Sequence, residues 1–186
     1  MSSDTPREQR ITTWLEQDDV RMKALRLARS LNLDDWCIGA GFVRKLVWDT
    51  LHGKAESTTL NDIDLIYHDA SHATPARDAA LEARLASVSR LPWSVRNQAR
   101  MHHRNGDAPY TSTEHAMRHW VEVETAIGAR LSPRGDIELI APFGLAALFA
   151  GTITLNPYRP RPSAFQQRVA DKRWRETWPT LKVNCS

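Results

Sequence analysis

The sequence predicts an α+β (mixed α/β) fold, in which a mixed sheet is flanked by helices, and three observations support this prediction. Helical and strand-like segments alternate along the chain, and one β-hairpin falls among them. The 186 residues are 41% hydrophobic and 25% charged, which is typical of a globular domain with one core. No apolar run approaches the roughly 18 residues of a membrane span. We therefore expect a single domain over residues 1–186 and no membrane segment.

The first third of the chain predicts helices, a strand and a tight turn. Residues 6–31 carry apolar side chains at helical steps and predict an N-terminal layer of two helices, the second capped at Asp18-Asp19. The apolar run Trp36-Cys37-Ile38 then predicts a strand. The segment Gly39-Ala40-Gly41, called the glycine turn below, follows it. Apolar residues at helical spacing after this turn predict a third helix.

The middle of the chain contains the sharpest local pattern. Strict alternation predicts a strand in which Ile63 and Leu65 point to one face while Asp62 and Asp64 point to the other. Thr74-Pro75 is a cap followed by proline, so it should begin a helix over 74–90. The remaining predicted elements are a strand over 93–100, a helix over 112–120 capped by Ser112 or Thr113, a hairpin of 125–131 with 136–140, a helix over 143–150 ended by Gly151, and a basic C-terminal helix over about 163–177.

The N-terminal sequence, the cysteines and the charge indicate where the protein is located and which partners it binds. The first ten residues lack the apolar stretch of a secretion signal, and Cys37 and Cys185 match no metal or redox spacing, so we expect a cytoplasmic protein. The net charge is only +3, and the sequence has no dense basic stripe of the kind that dedicated nucleic-acid-binding proteins carry. A nucleic-acid partner is therefore possible but not indicated. Residues 158–186 hold seven basic and two acidic side chains. This segment either contacts phosphates or forms a solvated helix face.

Asp62 and Asp64, called the acid pair below, indicate a cation site. Two carboxylates on one strand face repel each other unless a cation neutralises them, and Mg²⁺ prefers such oxygen ligands. The alternative is the solvated outer face of an edge strand. Small residues in the glycine turn would let a phosphate approach the amides at the start of the next helix, although an ordinary tight turn has the same composition.

In this order, a glycine-bearing turn followed by a strand with paired acids resembles the polymerase-β-like nucleotidyltransferase superfold. More closely, the chain resembles a bacterial nucleotidyltransferase family of a former domain-of-unknown-function class. Six blocks in order carry the resemblance over about residues 10–180: Gly39–Arg44 with Val47-Trp48-Asp49, Asn61–Tyr67, Asn97–His102, Thr125–Leu131, Ala141–Leu145, and Phe165 to Pro179.

The resemblance implies a reaction and a set of site residues. It implies that Asp62 and Asp64 bind Mg²⁺ (or Mn²⁺) and act catalytically, and that Gly39, Ala40 and Gly41 face the triphosphate of an NTP. Arg44, on the first turn of the following helix, is the expected phosphate-binding cation. The implied reaction is nucleotidyl transfer to an acceptor with release of pyrophosphate. The acceptor remains open among a small molecule, a protein and an RNA end.

The superfold usually carries a third carboxylate on the next strand, where Asn97 is expected to stand in this sequence. Glu122, Glu124 or Glu138 could substitute for it, and the sequence does not choose among them. If none does, a catalytically silent module that binds a nucleotide or a partner is the alternative. Asn97 and Arg100 are candidate contacts for the nucleotide, and a polar strand end is the other interpretation of that segment.

Overall fold

The computed structural model describes residues 4–185. Its helices are α1 (Thr5–Glu16), α2 (Asp19–Arg29), α3 (Gly41–Leu51), α4 (Pro75–Val88), α5 (Met101–Asn105), α6 (Thr113–Met117), α7 (Ala146–Ala150), α8 (Pro162–Lys172) and α9 (Trp174–Thr177). Its strands are β1 (Cys37–Gly39), β2 (Ile63–Tyr67), β3 (Trp93–Asn97), β4 (Gly128–Leu131), β5 (Ile137–Ile140), β6 (Thr152–Thr154) and β7 (Lys182–Asn184).

Five strands form a mixed sheet in the order β3-β2-β1-β4-β5. β2 and β3 are parallel, and the other neighbouring strands are antiparallel. A parallel pair needs a long crossover, and α4 provides it between β2 and β3. β6 and β7 form a separate parallel pair. The predicted fold class, a mixed sheet flanked by helices, is confirmed.

The two faces of the main sheet have different surroundings. One face carries Ile63 and Leu65, which are fully buried in the main core together with side chains of α1 to α4. The opposite face carries Asp64 and a small apolar cluster of Cys37, Ile66, Met117 and Ala126. Because side chains alternate along a strand, the hydrophobic residues of β2 fix which face its acids occupy.

The predicted helix caps are confirmed. The Asp18 carboxylate accepts a hydrogen bond from the backbone N–H of Arg21 at 2.9 Å, which begins α2. Thr74 Oγ1 accepts one from the N–H of Arg77 at 3.2 Å, with Pro75 as the first residue of α4. Each cap satisfies one of the backbone donors that a helix leaves unpaired at its start.

The strand predicted over 93–100 is too long. β3 ends at Asn97, and a 3₁₀ turn over Gln98–Arg100 leads directly into α5. The Asn97 side chain causes this ending, because its Oδ1 accepts a hydrogen bond from the N–H of Ala99 at 3.0 Å and so closes a turn.

The helix predicted over 163–177 is in fact two helices. Arg173 adopts a left-handed conformation, with φ of 50°, and separates α8 from α9. The break allows Trp174 and Trp178 to pack against Trp48, with ring centroids 5.9 and 5.1 Å away. Sequence periodicity also missed β6 and β7, and it began the helix that ends at Gly151 three residues too early. None of the helices within residues 4–185 combines the length and the apolar character that a membrane crossing requires.

Candidate functional site

The acid pair lies at the start of β2. Asp62 immediately precedes the strand and is exposed, whereas Asp64 is its second residue and is half-buried. The fully buried side chains of Ile63 and Leu65 hold the strand in register. Within residues 4–185, neither carboxylate of the pair forms a hydrogen bond or an ion pair. Two acids therefore stand side by side without a protein partner.

The surroundings of Asp64 combine burial with charges of both signs. Burial raises the pKa of Asp64, and the neighbouring Asp62 raises it further. Arg44, Lys172 and Arg96 act in the opposite direction, so three cations lie within electrostatic range of this carboxylate. The site thus concentrates charge of both signs around one unpaired acid.

The glycine turn lies directly beside Asp64. In the antiparallel register of β1 and β2, Gly39 is the partner of Asp64. A side chain at Gly39 would come within 3.0 Å of the Trp120 ring, so only glycine fits without a shift. Ala40 has φ of 55° and ψ of −127°, a conformation normally left to glycine, and it precedes the first residue of α3. Backbone strain of this kind is characteristic of functional turns.

Arg44 is nearly fully buried behind the glycine turn. Its Nη1 donates to Thr125 Oγ1 at 2.6 Å, and its guanidinium lies 5.1 and 4.9 Å from the rings of Trp48 and Trp174. Its Nε has no hydrogen-bond partner. Burial lowers the pKa of Arg44 to about 10, with Glu122 opposing this shift, so the side chain remains a cation at neutral pH. A buried cation with an unused donor is suited to an anionic ligand.

The structure does not bring Asn97 and Arg100 to the acid pair. In the register of β2 and β3, Asn97 pairs with Tyr67, on the face opposite to Asp64. The Asn97 side chain is used in hydrogen bonds to backbone atoms of Asp69, His72 and Ala99.

Arg100 belongs to the same structural region as Asn97. Its Nε donates to the buried carboxylate of Asp78 at 2.8 Å. Asp78 also accepts hydrogen bonds from the Tyr67 hydroxyl at 2.6 Å and from the N–H of Asn97. Asp78, Tyr67, Asn97 and Arg100 are called the Asp78 network below, and they explain the polar sequence at this strand end by folding alone.

The expected position of a third carboxylate is also corrected. The residue beside Asp64 on β3 is Ser94, not Asn97. Each of the three substitute acids has other partners: Glu122 binds Arg168 and Thr125, Glu124 binds Thr152 and Thr154, and Glu138 binds Arg130. Within residues 4–185, no group of three or more His, Cys, Asp or Glu side chains could hold a metal ion.

The donor set of the acid pair nevertheless fits Mg²⁺. This ion is usually held by one or two carboxylates together with phosphates of the substrate and water. Asp62 and Asp64 provide two such carboxylates, both without a protein partner. Their mutual repulsion would be relieved by a bound cation.

Sequence reasoning missed Asp49, which holds the loop that leads to the acid pair. Asp49 is buried in α3 and accepts hydrogen bonds from the N–H and the hydroxyl of Thr58, at 2.7 and 2.5 Å. It also accepts one from Trp178 Nε1 at 2.8 Å. A carboxylate within the apolar period of α3 was the available signal, since a buried acid must have partners.

Comparison with known proteins decides the family. Residues 26–183 match the family described as nucleotidyltransferase. The chain belongs to this nucleotidyltransferase family. No curated protein matches the chain.

Solved structures share the fold of this chain. An NMR structure described as a CCA-adding enzyme head domain superposes with a TM-score of 0.85 at 30% identity, and the match covers 96% of each chain. A CCA-adding enzyme in complex with CTP has a TM-score of 0.51 at 17% identity, over 78% of this chain and 36% of that one. A tRNA-processing enzyme has a TM-score of 0.53 at 16% identity, over 85% of this chain and 42% of that one. The last two share the fold, and the match to this chain spans less than half of the length of each.

Proposed function

We propose that this protein transfers a nucleotidyl group from an NTP to an acceptor in a reaction that depends on Mg²⁺ (or Mn²⁺). One observation carries the proposal: two unpaired carboxylates, Asp62 and Asp64, lie beside a strained glycine turn that opens an eleven-residue helix. The turn supports phosphate binding because the first backbone N–H groups of a helix have no partners within the helix. The family membership is consistent with this chemistry.

Each residue of the site has a distinct task in the proposed reaction. Asp62 and Asp64 hold the divalent ion, which supplies charge neutralisation at the phosphates. Gly39 and Gly41 let the triphosphate approach the backbone at the start of α3. Arg44 contributes a buried positive charge behind that turn.

The acceptor nucleophile attacks the α-phosphorus and forms a new bond to it, while the bond from the α-phosphorus to the bridging oxygen breaks. The electron pair of that bond leaves with pyrophosphate. The proton of the acceptor goes to a base or to water. The acceptor is a small molecule, a protein or an RNA end, and the reaction takes place in the cytoplasm, where NTPs are available.

A silent nucleotide-binding module is a second candidate, and one observation favours it. Within residues 4–185 no third acid joins Asp62 and Asp64. Without such an acid the chain would lack the usual group that deprotonates the acceptor. The module would then bind NTP and metal without turnover.

Pyrophosphate release tests the proposal. The protein is incubated with Mg²⁺ or Mn²⁺, each α-labelled NTP and pools of small-molecule, protein and RNA acceptors. Wild-type protein should release pyrophosphate, and Asp62→Asn/Asp64→Asn should not. Asp136→Asn, in the exposed turn between β4 and β5, is the matched control and should retain activity. Metal-dependent NTP binding without any release would favour the silent module, and binding that persists unchanged in the double variant would show that the site is assigned wrongly.

A further inference from the structure

A chain of hydrogen bonds connects α8 to the buried Arg44. Arg168, on α8, donates from Nε to Glu122 Oε1 at 2.5 Å and from Nη2 to Oε2 at 3.2 Å. Glu122 Oε2 in turn accepts a hydrogen bond from the Thr125 hydroxyl at 2.9 Å. The same hydroxyl oxygen accepts the hydrogen bond from Arg44. A continuous chain of contacts therefore fixes α8 against the cation behind the glycine turn.

Lys172 lies in the sequence between Arg168 and Trp174, which are both connected to Arg44. It follows Arg168 by four positions, so both side chains project from the same face of α8. Two residues further on, the ring of Trp174 lies 4.9 Å from the guanidinium carbon of Arg44. The break at Arg173 ends α8 immediately after Lys172. These anchors place Lys172 at the edge of the candidate site.

The charge of Lys172 has no protein partner. The side chain is exposed, and within residues 4–185 it forms no hydrogen bond or ion pair. Both of its flanks are nevertheless tied to the site, since Arg168, one helical turn earlier, is linked through Glu122 to Thr125, the partner of Arg44, and Trp174 packs on Arg44 itself. Glu122 provides a single negative charge for Arg168 and, through Thr125, for Arg44. Lys45 and Lys172 therefore leave a local excess of positive charge beside the acid pair.

Like charges held together in this way are stabilised by a multivalent anion. The triphosphate of an NTP carries most of its negative charge beyond the α-phosphorus, on the β- and γ-phosphates. A lysine ammonium is a compact charge that suits these phosphate oxygens. On the basis of the proposed function, we propose that Lys172 binds the β- or γ-phosphate of the NTP and the pyrophosphate that leaves.

The experiment compares nucleotides that differ only in these phosphates. Binding is measured by isothermal titration calorimetry, with Mg²⁺, for an NTP analogue with a carbon bridge between the α- and β-phosphates and for the corresponding nucleoside monophosphate. Lys172→Met should weaken binding of the triphosphate about tenfold and leave binding of the monophosphate within about twofold. Arg175→Met is the matched control, since Arg175 is an exposed cation on α9 in the same basic segment, and it should change neither affinity.

The outcomes separate this inference from the proposed function. If wild-type protein binds the triphosphate in a metal-dependent manner and Lys172→Met binds it equally well, the role of Lys172 is wrong while the proposed function stands. Equal weakening for triphosphate and monophosphate would indicate a structural role and would also overturn the inference. If wild-type protein binds no nucleotide, the proposed function and the inference are both wrong.

Discussion

Carboxylates in opposite circumstances lie at the two ends of β2. At its start, Asp62 and Asp64 form no hydrogen bond or ion pair within residues 4–185, and burial together with repulsion raises the pKa of Asp64. Near its end, Asp78 is fully satisfied by Tyr67, the backbone of Asn97 and Arg100. Asp62 and Asp64 lie at the start of β2, and Asp78, from α4, lies beside its end. The difference lies in whether the protein itself supplies their partners.

This contrast separates function from folding. Removing a buried carboxylate whose partners the protein supplies leaves those partners unpaired and destabilises the fold, and such a carboxylate is unavailable to a ligand. An unpaired and ionised acid pair costs stability, and a bound cation relieves that cost. We therefore expect substitutions at the start of β2 to affect activity, and substitutions in the Asp78 network to affect stability.

The largest effect is expected at Asp64. Asp64→Asn should lower the rate of nucleotidyl transfer by about 10³-fold, because under the proposed function it removes a ligand of the ion that stabilises charge in the transition state. Asp69→Asn is the control near the other end of β2, where the native carboxylate is paired with Arg77, and it should retain activity within about twofold per folded molecule. Steady-state pyrophosphate release measures both. Equal losses of activity in the two variants would contradict the proposed difference between the two ends of β2.

The next largest effect is expected at Asp78, on the free energy of unfolding. Asp78→Ala should lower the free energy of unfolding by about 3 kcal/mol, because it leaves Arg100 and the Tyr67 hydroxyl without their buried partner. Urea denaturation followed by tryptophan fluorescence measures the change. The folded fraction of the variant should still bind NTP and metal. Native stability combined with lost binding would instead place the Asp78 network in the site.

A smaller effect is expected at the glycine turn. Ala40→Gly should raise the free energy of unfolding by about 0.5–1 kcal/mol, because glycine relieves the strain at φ of 55°. Ala73→Gly is the control at a negative φ, and it should be neutral or slightly destabilising. The midpoints of urea unfolding curves provide the comparison. A loss of stability in Ala40→Gly would contradict the assignment of strain to this turn.

The smallest effect is a dependence of stability on pH at Asp64. The folded-state pKa of Asp64 is raised, so the folded protein binds more protons than the unfolded chain between the ordinary and the raised value. Stability is therefore lost as pH rises through that window. Asp64→Asn should be more stable than wild-type protein above the window, by less than about 1 kcal/mol, and the difference should vanish near the ordinary value of 3.8. Thermal unfolding in the absence of metal, at several pH values, would show a constant difference if this interpretation were wrong.

Local patterns predicted the start of β2 well. Alternation of apolar and acidic residues set the faces of the strand, and the small residues of the glycine turn predicted its position between β1 and α3. The positions of Asn97 and Arg100 were harder to predict from the sequence. They depend on where β3 ends and on contacts with Asp78, which lies in α4. Their role could not be derived from the alternation of neighbouring residues.

Long-range packing also limited the prediction of the basic C-terminal segment. Its charge excess was evident, but its position depends on the break at Arg173 and on the burial of Trp174 against Arg44. Neither contact has a signal in helical periodicity. Composition therefore identified the cations of this segment, and tertiary structure placed Lys172 between Arg168 and Trp174, which are both tied to Arg44.

Paramagnetic broadening by Mn²⁺ tests the central contrast most directly. With the carbon-bridged NTP analogue present, Mn²⁺ should broaden the backbone amide signals of Gly41, Asp62 and Asp64 and leave those of Asn97 and Arg100 comparatively sharp. The broadening at the start of β2 should disappear in Asp62→Asn/Asp64→Asn. Broadening centred on the Asp78 network, or unchanged in the double variant, would contradict the assignment of the acid pair as the cation site.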